Sequence, residues 1–168
     1  MTTSKPTRSA RVTRVRVTLA ATAVLLAALD LSLKTWASRA LADGTSVDLQ
    51  VIQLRLAFNS GVAFSLGDTL PSWVVLGVTG LIVAGLAVFA WRAVRTAILP
   101  MRLGLAAVLA GAVANLVDRA TDGVVTDYLH TGWFPTFNLA DVFITLGGAA
   151  LVLASLRTPD STTQDVAR

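Results

Sequence analysis

The sequence predicts an all-α integral membrane protein with four transmembrane helices and a small extracytoplasmic β element. Hydrophobic residues make up 54% of the 168 residues, charged residues only 14%, and mean hydropathy is +0.68. Soluble domains carry about 25% charged residues. Four apolar runs approach the roughly 20 residues that a helix needs to cross a bilayer core. The chain is therefore expected to form a single polytopic membrane domain, residues 1–168.

The four predicted spans differ in polarity. The second is uniformly apolar, whereas the first carries Asp30 and Lys34, and the third is short and ends in polar residues. The spans cover about 17–37, 73–91, 103–117 and 138–156. They leave two extracytoplasmic loops, about 38–72 and 118–137, and two cytoplasmic tails, 1–16 and 157–168.

The distribution of basic residues predicts the orientation. Ten of the fourteen Lys and Arg residues lie in the tails or in the turn 92–102 between the second and third spans. Loops rich in Lys and Arg face the cytoplasm. Both termini are therefore expected to be cytoplasmic.

The N-terminal region allows a second interpretation. Basic residues, an apolar core over 17–29 and Ala40-Leu41-Ala42 together resemble a cleavable secretory signal. Cleavage would discard Asp30 and Lys34, so an uncleaved first span is favoured.

Both extracytoplasmic loops contain strand-like segments. Apolar and polar residues alternate over 47–59, as in a half-buried strand, and the phase changes after Val51. That change indicates a bulge or a turn between two short strands. Ile52, Leu54 and Leu56 would then face lipid or an apolar substrate, with 47–58 as a flap, or else pack on the protein's own spans. The second loop has an Asp-Gly turn, a strand at VVTDYLH and an aromatic patch.

Residue types that are missing restrict the chemistry. The chain has no Cys, a single His at position 130, and ten acidic residues that are all Asp. Thiolate chemistry and an HExxH zinc site are excluded, and a Ser-His-Asp triad would need His130. The uneven placement of the net charge of +4 gives no indication of nucleic-acid binding. We expect no metal and no cofactor.

Polar residues in or near the spans need a physical reason, because a charge at a span centre costs about 2.5–3.5 kcal/mol. Asp30 and Lys34 are four residues apart on one helix, which favours a structural ion pair over catalysis by Lys34. Asn115, Asp118 and Arg119 cluster at the external end of the third span. Supporting bonds to neighbouring carboxylates and loop backbone are favoured there over direct catalysis, with Arg119 suited to a bidentate contact.

Asp127 and Asp141 are the candidate catalytic pair. One lies in the strand after the third span and the other one turn into the fourth, so they meet if those spans pack together. Two adjacent carboxylates share a proton, and such a pair hydrolyses peptides without a covalent intermediate. Asn138, three residues before Asp141, is placed to orient the pair. Two acids at a membrane surface also suit a proton-coupled transporter or proton relay.

Four blocks in order make the chain resemble the lipoprotein signal peptidase (bacterial signal peptidase II) family. They are Asp30-Leu-Ser-Leu-Lys34, Phe58-Asn-Ser-Gly-Val-Ala-Phe-Ser65, Gly111-Ala-Val-Ala-Asn-Leu-Val-Asp-Arg119 continued by Gly123-Val-Val-Thr-Asp-Tyr128, and Phe137-Asn-Leu-Ala-Asp-Val-Phe-Ile144. Val62 stands where the family commonly has Ala.

The resemblance implies an aspartic endopeptidase of the bacterial cytoplasmic (inner) membrane, with its active site near the extracytoplasmic face. It implies catalysis by Asp127 and Asp141 and structural roles for Asp30 and Lys34. Supporting or substrate-contacting roles are implied for Asn59, Gly61, Asn115, Asp118, Arg119 and Asn138. The implied substrates are diacylglyceryl-modified prolipoproteins, cut just before the lipidated Cys. The other expected partners are membrane lipid and the cyclic peptide inhibitor globomycin.

Overall fold

The computed structural model describes residues 7–60 and 71–156 and confirms the predicted fold class. Four long apolar helices, each able to cross a membrane by length and composition, accompany a three-stranded antiparallel sheet. In chain order the elements are α1 (Arg8–Ala40), β1 (Val47–Asp48), β2 (Gln53–Asn59), α2 (Ser72–Ala93), α3 (Leu99–Asp122), β3 (Val125–His130) and α4 (Leu139–Leu156). Gly61 and the rest of its motif through Ser65 lie outside the described residues.

Local interactions and backbone conformation set the start of α1 and the end of α3. At the start of α1, the side chain of Thr7 accepts a hydrogen bond from the Ala10 backbone N–H at 3.3 Å. At the end of α3, Gly123 takes φ 75°, a left-handed conformation that ends helices and favours glycine. Helices α1 and α3 therefore run several residues beyond the apolar spans predicted for them, 17–37 and 103–117.

Helix α3 lies at the centre, in contact with the other three helices. Glycines let its backbone approach α4 closely: a methyl group at Gly104 would lie 2.9 Å from the Gly147 carbonyl oxygen. A methyl group at Gly111 would overlap the carbonyl oxygen of Ala140. Small residues are the usual means by which membrane helices pack. This glycine seam places the first turn of α4 against the C-terminal half of α3.

The sheet contains the turn that the sequence predicted between two short strands. Strands β1 and β2 pair antiparallel, and Gln50 between them takes φ 72°. The Leu49 backbone N–H donates to the Ile52 carbonyl at 2.9 Å, which closes this turn. Strand β2 also pairs with β3, with a register shift between Leu54 and Ala57.

The packing of the sheet decides between the two alternatives for the apolar side of the first loop, and the protein's own core is the one observed. Leu54 and Leu56 do not face lipid or a substrate; they pack on a buried cluster formed by Ala37, Leu41 and Tyr128. Ile52, which alternates with Leu54 and Leu56 along the segment, is half-buried as well. That side of the strand therefore faces the protein's own core. The exposed apolar residues of the segment are on the other phase and at its end, with Val51 81% exposed.

Candidate active site

Asp127 is held in the interior by its strand. It pairs with Ala57 in the β2–β3 ladder, and only 2% of its surface is exposed. Its carboxylate accepts hydrogen bonds from the side chains of Asn59 and Asn138, the second at 2.7 Å. The sheet and the start of α4 thus fix this carboxylate from two sides.

Asn138 bridges the two candidate catalytic aspartates. Its side-chain amide donates to Asp127 Oδ1, while its backbone N–H donates to Asp141 Oδ2 at 3.2 Å. In return, its side-chain oxygen accepts from the Asp141 backbone N–H at 3.0 Å. This reciprocal pair is a capping box at the start of α4, with Asp in the place usually held by Glu. The local signal that begins the helix therefore also orients Asp141.

Asn115 connects Asp141 to the buried lysine. Its Nδ2 donates to Asp141 Oδ1 at 2.9 Å, and its Oδ1 accepts from Lys34 Nζ at 2.6 Å and from Asn138 Nδ2 at 3.2 Å. Because the ammonium group can only donate, it fixes which end of the Asn115 amide faces Asp141. The amide therefore presents its donor to the carboxylate.

Lys34 forms two ion pairs in the interior. Its Nζ lies 3.1 Å from Asp30 Oδ2 and 3.2 Å from Asp118 Oδ2. Both acids also accept from backbone: Asp30 Oδ1 from Ala140 N at 2.9 Å, and Asp118 Oδ2 from Thr126 N at 2.6 Å. One ammonium thus pairs with two carboxylates, each of which accepts a hydrogen bond from the residue directly before a candidate catalytic aspartate.

Arg119 does not make the bidentate contact that its chemistry suggested. Among the described residues it forms no ion pair, and its Nε is buried without a hydrogen-bond partner. It lies near enough to Asp118, Asp127 and Asp141 to interact electrostatically. Its guanidinium therefore remains available for a group that enters the site.

The surroundings of Asp127 change its proton affinity. Burial raises the pKa of its carboxyl to about 6, and the negative charge of Asp141 adds to the rise. Hydrogen bonds from Asn138 and Asn59 partly oppose it. Burial likewise raises the pKa of the neighbouring Tyr128, whose hydroxyl accepts from the Leu139 backbone N–H at 3.3 Å. Asp127 can thus hold a proton in mildly acidic solution.

A cavity of about 560 Å³ opens beside the pair. Asp141 and Asn59 line its polar part, and the loop before α4 contributes an aromatic wall that includes Trp133 and Phe134. Val142, Thr145 and Leu146 continue it along α4, and Leu146 is 63% exposed on the helix surface. The cavity therefore extends from the carboxylates along the apolar side of the bundle.

Sequence analysis indicated the aromatic patch, but it did not predict that the patch or Thr145 would line a site. The spacing offered a signal for Thr145, because it follows Asp141 by four residues and shares its helix face. Within residues 7–60 and 71–156, no three acids or histidines gather in a way that suits a metal ion.

The fold and the site define a class: a multi-pass membrane enzyme with a polar centre buried at one end of its helices. Two solved structures of bacterial membrane enzymes share this fold, at 2.3 and 1.9 Å resolution. The first is 23% identical with a TM-score of 0.74 and covers 90% of this chain and 94% of its own. The second is 25% identical with a TM-score of 0.72 and covers 84% and 94%.

Sequence comparison identifies the family within that class. The profile of signal peptidase (SPase) II matches residues 22–157. The lipoprotein signal peptidase of Gloeobacter violaceus is 39% identical over 155 residues, covering 83% of this chain and 82% of the relative. That of Bartonella tribocorum is 34% identical over 140 residues, covering 80% and 83%. The chain belongs to the lipoprotein signal peptidase (signal peptidase II) family of aspartic peptidases, which confirms the resemblance and decides against the transporter.

Proposed function

We propose that Asp127 and Asp141 are the catalytic pair of this peptidase. The observation that carries the proposal is the Asn138 bridge, which joins buried Asp127 to Asp141 at the polar end of the cavity. The raised pKa of Asp127 adds to it, since the two acids then favour different protonation states.

The two environments assign the roles. Asp141, which lines the cavity, takes a proton from the attacking water while Asp127 gives its proton to the scissile carbonyl oxygen. The resulting tetrahedral intermediate collapses when the amide nitrogen receives the proton held by Asp141 and the carbonyl reforms, returning a proton to Asp127. No covalent bond to the enzyme forms, so the step requires no Cys or Ser nucleophile.

Neighbouring residues support this chemistry. Asn138 and Asn115 orient the pair, and Asp118 and Asp30, both paired with Lys34, accept hydrogen bonds directly from the adjacent backbone. Arg119 and Asn59 are placed to bind the substrate backbone. The proposal includes Gly61 on its sequence motif alone.

The cavity suits a substrate that arrives through lipid. We infer that the substrates are diacylglyceryl-modified prolipoproteins, cut just before the lipidated Cys. Such a signal helix and its acyl chains can approach along exposed Leu146 and the aromatic wall, while the peptide bond reaches Asp141. Globomycin is expected to occupy the same cavity.

The membrane orientation completes the proposal. The distribution of Lys and Arg supports an orientation with both termini cytoplasmic and the carboxylates near the extracytoplasmic face of the bacterial inner membrane. An uncleaved first helix is supported by the ion pairs of Lys34 with Asp30 and Asp118, which a cleaved chain would lose.

Cleavage of a lipidated prolipoprotein peptide by the purified chain in detergent tests the proposal. Asp127→Asn and Asp141→Asn should each reduce kcat by at least about a thousandfold without loss of folding, because each acid moves a proton in the reaction. Asp122→Asn, an exposed acid at the end of α3, is the matched control and should cleave normally. A folded Asp127→Asn or Asp141→Asn variant with near-normal turnover would overturn the two-carboxylate mechanism.

A further inference from the structure

A second cavity lies at the opposite end of the helices from the candidate active site. It measures about 170 Å³ and is formed between α1 and the start of α3. Arg14 and Arg102 line it, together with the hydroxyl-bearing Thr18 and Thr22. Leu19 and Leu103 supply apolar walls, so two cationic groups and an apolar surface line the same cavity.

Arg102 has no protein partner in the described ranges. Its Nε is buried and makes no hydrogen bond, and its guanidinium forms no ion pair. The N-cap residue of α3, Ile98, provides no side-chain cap, so the positive end of this helix dipole adds to the same field. A buried guanidinium N–H that has no protein acceptor has lost its hydrogen bonds to water without replacing them. A bound anion would supply the missing acceptor.

None of the described residues at this end of the helices carries a negative charge. Of the aspartates in residues 7–60 and 71–156, all seven lie in the external loops or in the helix halves that face them. At the other end of the bundle, the charged residues that the structure describes are all arginines. We name it the arginine end: Arg8, Arg11, Arg14, Arg16, Arg92, Arg95 and Arg102. Arg16 is engaged elsewhere, since it lies 4.4 Å from the ring centroid of Trp91 and its Nε donates to the Trp91 carbonyl.

We propose that this cavity binds the phosphodiester headgroup of an anionic phospholipid. The guanidinium groups of Arg14 and Arg102 contact the phosphate, and the threonine hydroxyls donate to its ester or glycerol oxygens. The acyl chains follow the exposed Leu99 and Leu103 into the bilayer. Basic pockets between membrane helices bind anionic headgroups in this way. A free phosphate shares the headgroup chemistry but makes no use of the apolar walls.

The inference does not rest on the proposed peptidase mechanism or on the orientation of the chain. Anionic lipid at either membrane face can reach this end of the helices. Loss of lipid binding and loss of cleavage are therefore separate outcomes of the experiments.

Native mass spectrometry of the full chain, released from detergent with added phosphatidylglycerol or phosphatidylcholine, tests the site. Wild type should retain phosphatidylglycerol in preference to phosphatidylcholine. Arg102→Gln should weaken that retention about fivefold, the factor that corresponds to the ~1 kcal/mol typical of one basic residue at an anionic membrane. Arg92→Gln is the matched control: Arg92 is exposed at the same end but does not line the cavity, so its loss should change retention little.

Each other outcome would overturn the proposal in a distinct way. Equal losses in Arg102→Gln and Arg92→Gln would show diffuse attraction rather than a site. Equal retention of both lipids would show an apolar groove. Displacement of the lipid by inorganic phosphate at constant ionic strength would show a free-anion site. If Arg102→Gln fails to fold, Arg14→Gln decides, because Arg14 is exposed and its side chain supports no other described contact.

Discussion

The two ends of this helix bundle handle charge in opposite ways. At the end that holds the candidate active site, Lys34 and the buried aspartates satisfy one another through hydrogen bonds and ion pairs within the protein. At the arginine end, the described residues include no acid that could pair with the guanidinium groups. Charges needed for chemistry must be fixed internally, whereas charges that interact with lipid can be left for the environment to balance. This contrast predicts that the same kind of substitution has different consequences at the two ends.

Removing one cation from each end should give the largest difference. Lys34→Met leaves the carboxylates of Asp30 and Asp118 buried without a counter-charge, at a cost of about 3–5 kcal/mol. Arg92→Met removes an exposed charge and should change stability by less than ~0.5 kcal/mol. Thermal unfolding of both variants in the same detergent measures the difference. Similar midpoints would mean that the internal network contributes little to stability.

Two glycines of the α3–α4 seam should separate stability from activity. Gly111→Ala and Gly104→Ala both force close backbones apart, and overpacking of this kind costs about 1–3 kcal/mol. Gly111 contacts Ala140, the residue before Asp141, so its substitution should also lower kcat per folded molecule. Gly104 contacts Gly147, nearly two turns further along α4, and its substitution should leave kcat unchanged. A comparable loss of kcat in both variants would argue against local control of the pair by this seam.

A change of pH near neutrality should alter kcat/KM, which depends on Asp127, but should not alter lipid retention at the arginine end. Asp127 must carry a proton to act as the acid, and its pKa is raised to about 6, so kcat/KM should fall roughly tenfold per pH unit above that value. Arginine does not titrate in this range, so lipid retention should stay constant. A kcat/KM that remains level from pH 6 to pH 8 would be inconsistent with Asp127 as the acid.

The spacing of polar residues along single helices predicted several contacts of the site. The four-residue separation of Asp30 and Lys34 predicted their ion pair, and the Asn-x-x-Asp motif placed Asn115 and Asp118 together. The meeting of Asp127 and Asp141 required only that the third and fourth spans pack together. These inferences succeeded because a helix fixes which side chains share a face.

Contacts between helices were less accessible to sequence reasoning. Lys34 reaches Asn115 and Asp118 on another helix, and nothing in local periodicity specifies the depth and rotation that bring them together. The side of the sheet that bears Leu54 illustrates a related limit. Alternation shows that a strand has two faces, but it does not say whether lipid or the protein's own core lies against one of them. The cavity of Arg102 depends on the same unpredicted packing of α1 against α3.

The placement of Lys34 has a consequence for how the enzyme is made. Its ion pairs link the first helix to the third, so they can form before the fourth helix has left the ribosome. Insertion of the early helices is then helped by mutual neutralisation of their charges. Asp141 and Asn138 come last, and the first turn of α4 docks on Asp30 through Ala140. The proposed pair of Asp127 and Asp141 is therefore complete only after α4 has docked on the helices made before it.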